Sequence, residues 1–179
     1  MDDISDKTVL EVIYVVVHSG LGSKVLKVAK HNGIQGGTII LGKGTIKNRL
    51  LEFLDLTDVR KEIVIMITEQ SKANNVLEIF NKEFHFQKQN HGIAFSMPVT
   101  ELVGSRHIKS KSPESNREEN TMYQAIYTIV DKGKAEIAID AATAAGARGG
   151  TIMNGRGSGI HETNILFAMP IEPEKEILC

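Results

Sequence analysis

Gly33-Ile34-Gln35-Gly36-Gly37-Thr38-Ile39-Ile40-Leu41-Gly42-Lys43-Gly44 returns 113 residues later as Gly146-Ala147-Arg148-Gly149-Gly150-Thr151-Ile152-Met153-Asn154-Gly155-Arg156-Gly157. Both stretches read G-x-x-G-G-T-I-x-x-G-[K/R]-G. At the same offset upstream, Tyr14 matches Tyr127, Val17 matches Val130, Gly20 matches Gly133 and Ala29 matches Ala142. A repeat of this length is a duplication, and it has to be recognised before any other feature is interpreted. Downstream the offset becomes 114, with Lys61-Glu62-Ile63 answered by Lys175-Glu176-Ile177. A one-residue slip of that kind belongs in a loop. Gly104 to Thr121, between the copies, is rich in Ser, Lys, Glu and Asn and reads as a flexible linker.

Periodicity assigns the elements of the first copy. Val12–Val17 is a short β-branched run, and Ser23–Asn32 carries Val25, Leu26, Val28 and Ala29 at helical spacing before Gly33 as a stop. Thr38–Leu41 and Ile63–Thr68 are two further strands. Ser71–Phe84 places Ala73, Val76, Leu77, Phe80 and Phe84 on one helical face, and Ile93–Val99 is a last extended segment. The order β-α-β-β-α-β predicts an α+β, ferredoxin-like unit. The second copy repeats Tyr123–Val130 as strand, Lys134–Ala145 as helix and Thr151–Asn154 as strand, then reaches Lys175–Cys179. Relative to the first copy it lacks roughly 40 residues, a helix and a strand. The predicted organisation is a module over 8–104, a linker over 105–121 and a truncated second module over 122–179. Such a chain is expected to be part of a longer protein, or to complete its second sheet with another chain.

The composition narrows the class. Of 179 residues, 41% are hydrophobic and 24% charged, which is the balance of a soluble globular protein. Twenty-one basic and 22 acidic residues leave a formal charge of −1, so no global field draws nucleic acid, and with 5% aromatics and no Trp a base-stacking surface is disfavoured. No apolar stretch reaches membrane-span length, so no membrane insertion is expected. The acidic start Met1-Asp2-Asp3 is unlike a secretory signal, and the single Cys179 rules out an internal disulfide. The expected location is cytoplasmic.

The chemistry concentrates at the glycines. Gly37-x4-Gly42-Lys43-Gly44 lacks the Ser or Thr that a phosphate-binding P-loop needs after its Lys, and Thr38–Leu41 is a strand pattern rather than a loop. The preferred reading is a strand ending in a Gly-Lys-Gly or Gly-Arg-Gly corner, whose amides and cation meet an anion. The six histidines show no metal-ligand spacing, so no metal is expected. Ser23 and Ser71 read as helix caps rather than nucleophiles. An RNA-recognition module shares the element order, but Lys61–Thr68 has none of the aromatics that its third strand would require.

The element order, the G-x-x-G-x-T strand, the [K/R]-G that follows it and the long excursion before Lys-Glu-Ile together resemble the PII nitrogen-regulatory proteins. The resemblance covers Thr8–Gly104 as a whole module and Tyr123–Cys179 as a partial one. It implies a non-enzymatic signalling protein that forms a homotrimer and binds ATP or ADP as an effector between subunits. A mobile T-loop would touch a target transporter or nitrogen-metabolism enzyme. Position by position, it places Gly36, Gly37, Thr38, Lys43, Gly44 and Lys47 at the nucleotide, with Gly149, Gly150, Thr151, Arg156 and Gly157 as their second-copy counterparts. Asn48 stands where the family has Gln, and Ile93 where it has a phosphate-binding Lys. Because two modules cannot close a ring of three, like modules are expected to trimerise with like.

The excursions are apolar, with Leu50, Leu51, Phe53 and Leu54 in the first and Phe167 and Met169 in the second. Each reads either as a long edge of the third strand or a short packed helix, or as a contact surface for a partner. A metal-tolerance or amino-acid-sensing regulator on the same fold is the alternative function.

Overall fold

The computed structural model describes residues 9–45, 58–105, 124–158, 164–166 and 169–179. Alternating side chains in Leu10–His18 (β1) point to opposite faces of a sheet, and Ile13, Val15 and Val17 are fully buried on one of them. Helix α1, Gly22–His31, lays Val25, Leu26 and Ala29 on that side. It stops where Gly33 takes a φ of 85°, with Lys30 and His31 in its last turn. Strands β2 (Gly37–Thr45) and β3 (Asp58–Glu69) follow, then α2 (Gln70–Phe84) and β4 (Ile93–Val99). Phe80 and Phe84 of α2 join α1, Ile39, Val64 and Met66 in one core.

The second half contributes β5 (Thr128–Asp131), α3 (Ala135–Ala144), β6 (Ile152–Ser158) and β9 (Glu174–Leu178). Between the last two, β7 (Asn164–Leu166) and β8 (Met169–Ile171) form a separate two-stranded ribbon. The described parts of the second excursion therefore pair with each other, Leu166 opposite Met169, and form neither an extension of the third strand nor a helix. Lys47, Leu50, Leu51, Phe53, Leu54 and Phe167 lie outside the described residues.

Among the described residues, one antiparallel sheet of seven strands, ordered β4-β1-β3-β2-β6-β9-β5, carries three helices, and the fold is α+β. The halves join through β2 and β6, with Thr38 opposite Gly157 and Ile40 opposite Gly155. No helix among the described residues is long and apolar enough to cross a membrane. The periodicity underestimates β2 and β3. Their ladder continues through Gly42 opposite Lys61 and Lys43 opposite Arg60, so Gly42-Lys43-Gly44 is mid-strand and not a corner. Gly155-Arg156-Gly157 likewise lies inside β6. The expected strand Tyr123–Val130 is shorter, because β5 pairs only over Thr128–Asp131, against β9.

All three helices occupy one face. The opposite face gathers Ile40, Ile65 and Ile177 with Val12, Tyr14, Ile63 and Met153 into a second apolar layer. The sheet curls toward this side, which brings Tyr14 of β1 near Tyr127, just before β5, although β3, β2, β6 and β9 lie between those strands. Burial, and then the neighbouring Tyr127, push the Tyr14 phenol up to about 12.

The close approach of β2 to β6 requires Gly157, and its close approach to β3 requires Gly37. A Cβ on Gly157 would stand 2.5 Å from the Gly37 carbonyl oxygen, and one on Gly37 would stand 2.7 Å from the Ile65 oxygen and 2.6 Å from Met66 Cγ. At Gly42 the nearest atom is Ile63 Cδ1 at 3.4 Å. Gly157→Ala is expected to cost about 2 kcal/mol, in the range of overpacking, while Gly42→Ala stays within about 0.5 kcal/mol. Urea unfolding of both variants checks this difference.

Candidate functional site

Neither α1 nor α3 begins with a capping side chain. Their N-cap residues are Leu21 and Lys134, and neither makes a side-chain cap. A carboxylate from another strand takes that role in both. Glu62 Oε2 of β3 accepts the Gly22 amide at 2.6 Å, and Glu176 Oε2 of β9 accepts the Ala135 amide at 2.9 Å. These acids are the ones in the repeated Lys-Glu-Ile, so a repeated sequence coincides with a repeated tertiary cap. Carboxylates at helix N-termini satisfy open amides and complement the dipole. The expectation that Ser23 and Ser71 cap helices is not met. Ser23 Oγ donates to Glu172 at 3.2 Å, and Ser71 sits within the first turn of α2, whose N-cap Glu69 makes no side-chain cap.

Arg156 ties the halves together. Its Nη2 donates to Glu62 Oε1 at 3.0 Å and its Nε to Glu172 Oε2 at 2.7 Å. Glu62 is almost fully enclosed, with 3% of its side chain exposed, against 34% for Arg156. Burial alone would raise the Glu62 pKa, but the Gly22 and Gly20 amides and then Arg156 outweigh it, and the carboxyl titrates below its ordinary value. Burial works against the charged guanidinium of Arg156, yet Glu172 and Glu62 hold its pKa above normal.

The predicted site residues are thus divided. Gly37 and Thr38 come together with Arg156 and Gly157 at the β2–β6 seam, with Gly36 leading into it. Gly149, Gly150 and Thr151 lie away from them at the start of β6, where Thr151 and Cys179 exchange backbone hydrogen bonds and Gly150 packs against Leu178. Lys43 and Gly44 stand further along β2, opposite Arg60 and Val59. Lys43 and Arg60 are both exposed, and they form a cationic rung close to where the chain leaves β2 for the 46–57 excursion. On the other face Lys61 Nζ lies 3.4 Å from His18 Nδ1, while His18 Nε2 hydrogen-bonds the Asn90 carbonyl at 2.8 Å.

Arg60 and Glu62 belong to this arrangement although neither is among the sequence-predicted site residues. The available signal was a Glu repeated at one position in both copies, with no cap-forming residue at Leu21 or Lys134. A shallow surface depression of 270 Å³ between α2 and β4 is lined by Leu77, Asn81, Phe86 and Gln87 among others, none of them charged. Among the described residues no group of three or more His, Cys, Asp or Glu could hold a metal ion. No protein-family model matches this chain, and no curated protein matches it.

Because folding lowers the Glu62 pKa, its contribution is complete above about pH 4.5 and is lost as the pH falls through the lowered value. Glu62→Gln is expected to lose about 1–3 kcal/mol at neutral pH. Its stability should then vary less with pH below about 4.5 than that of the parent protein. Chemical unfolding from pH 3 to 7, roughly the span of carboxylate titration, provides the comparison.

Proposed function

We propose that this chain is a non-enzymatic signalling protein of PII type, in which a small anionic effector, ATP or ADP, alters an excursion that a partner protein reads. The sheet order β4-β1-β3-β2, with α1 and α2 on one face, supports reading the first half as a ferredoxin-like βαββαβ unit. The second half is read as the same unit carried as far as its third strand.

The observation that carries the proposal is the Lys43–Arg60 rung, two cations at one register position near the base of the 46–57 excursion. Phosphate oxygens bridging that rung would favour one arrangement of the segment it borders, and a partner selective for that arrangement would sense the effector. The β2 edge is already taken by β6, so the reading places the effector within one chain and does not depend on a trimer. Arg156, committed to two carboxylates, holds the structure together in this scheme and does not contact phosphate. The partner would be a transporter or a metabolic enzyme, as the resemblance implies.

Calorimetric titration with ATP, ADP and 2-oxoglutarate tests the reading. A nucleotide Kd below about 1 mM, near −4 kcal/mol, is expected, and Lys43→Ala and Arg60→Ala should each weaken it about fivefold, near 1 kcal/mol. Arg156→Ala should lower the thermal midpoint and leave the affinity within about twofold. Absence of nucleotide binding, or a loss of affinity confined to Arg156→Ala, would reject this placement.

A further inference from the structure

The duplication places equivalent residues at equivalent points of the two halves, where their chemistry can be compared. Lys43 stands opposite Arg60 across β2 and β3, as Arg156 stands opposite Glu174 across β6 and β9. His18 stands opposite Lys61, as Asp131 stands opposite Lys175. The backbone agrees, since the Ser19 amide donates to the Arg60 carbonyl at 3.2 Å and the Lys132 amide to the Glu174 carbonyl at 3.4 Å. The side chains do not. In the first half the rung joins two cations, and Arg60 makes no ion pair among the described residues. Lys61 has a ring nitrogen of His18, at 3.4 Å, for its acceptor. In the second half an acid, Glu174, takes the place of Arg60, and every cation nearby is held by a carboxylate. Arg156 is bound by Glu62 and Glu172, Lys132 by Glu174 at 2.8 Å, and Lys175 by Asp131 at 2.8 Å.

We infer that the effector binds once per chain, at the first half, and that the equivalent place in the second half is closed to it. The inference rests on the anionic effector proposed above. A phosphate approaching the second rung meets the Glu174 carboxylate where the first rung offers the Arg60 guanidinium, so attraction is replaced by repulsion. Arg156 could turn to that phosphate only by leaving Glu62, whose side chain is 3% exposed, and a buried carboxylate stripped of its cation is strongly unfavourable. Lys132 and Lys175 are constrained in the same way, because drawing either one to an anion leaves Glu174 or Asp131 beside the incoming charge. The second-half counterpart of Lys43 is thus spent on structure. Arg156 reaches across β2 to Glu62, two residues from Arg60 on the same side of β3, and so supports the half that binds.

Calorimetric titration of the full chain with ATP, read for stoichiometry, gives the test. One nucleotide per chain is expected, in a single class of sites. Arg60→Glu, which gives the first half the acid of the second, should weaken that event by about tenfold or more and leave no other in its place. Lys132→Ala should leave it within about twofold. Two nucleotides per chain, of which Arg60→Glu removes one, overturn the inference and leave the proposed function standing. A single event that survives Arg60→Glu overturns it together with the placement at the rung. Absence of binding rejects the proposed function and this inference with it. If circular dichroism shows that Arg60→Glu unfolds the chain, the stoichiometry of the parent protein decides the outcome.

Discussion

The joining of β2 to β6 is the constraint on which the rest of the structure depends. Antiparallel strands sit about 4.8 Å apart, and where a neighbouring strand's carbonyl points into the space a Cβ would fill, only glycine is accommodated. Gly37, Gly155 and Gly157 meet that condition, each with a backbone oxygen at 2.5–2.8 Å from the Cβ position. The repeated glycines look in sequence like an anion loop. In the fold Gly37, Gly155 and Gly157 lie along the seam where the two halves become one sheet, while Gly42 and Gly44 pair with β3.

The seam also has an electrostatic component, reached through the helices. Glu62 faces a helix N-terminus with one oxygen and Arg156 with the other, so a single buried carboxylate joins β3, α1 and β6. A buried charge satisfied in this way contributes specificity of arrangement as much as stability, because the partners fit in only one register. Glu172 completes the arrangement by holding Arg156 and Ser23 together. Both edges of the guanidinium are thus occupied by carboxylates.

Much of the architecture was legible in the residues. Periods of two and 3.6 located the helices to within a residue or two and defined β4 at Ile93–Val99, because burial on one side imposes those periods. Contacts across the chain were not legible. Nothing in Thr38–Gly44 announces that β2 will be flanked by β6 as well as β3. The capping role of Glu62 depends on a residue 40 positions away, which no local pattern encodes. The curl that brings Tyr14 to Tyr127 is a property of the twist accumulated over many strands, and the sequence shows it only as two tyrosines at a shared offset. The corner expected at Gly42-Lys43-Gly44 failed for a related reason. Glycine-rich composition signals freedom of the backbone, and a long ladder to β3 removes that freedom.

The tertiary caps also bear on the order in which the chain assembles. A helix of ten residues is too short to persist alone in water, and a local cap is the usual means of starting one early. Helices α1 and α3 have no such cap. Each waits for a glutamate 40 or 41 residues further on, beyond β2 for α1 and beyond β6, β7 and β8 for α3. Their formation is therefore tied to the docking of β3 and β9, and closing loops of that length gives the chain the kinetics of a β protein despite its helices.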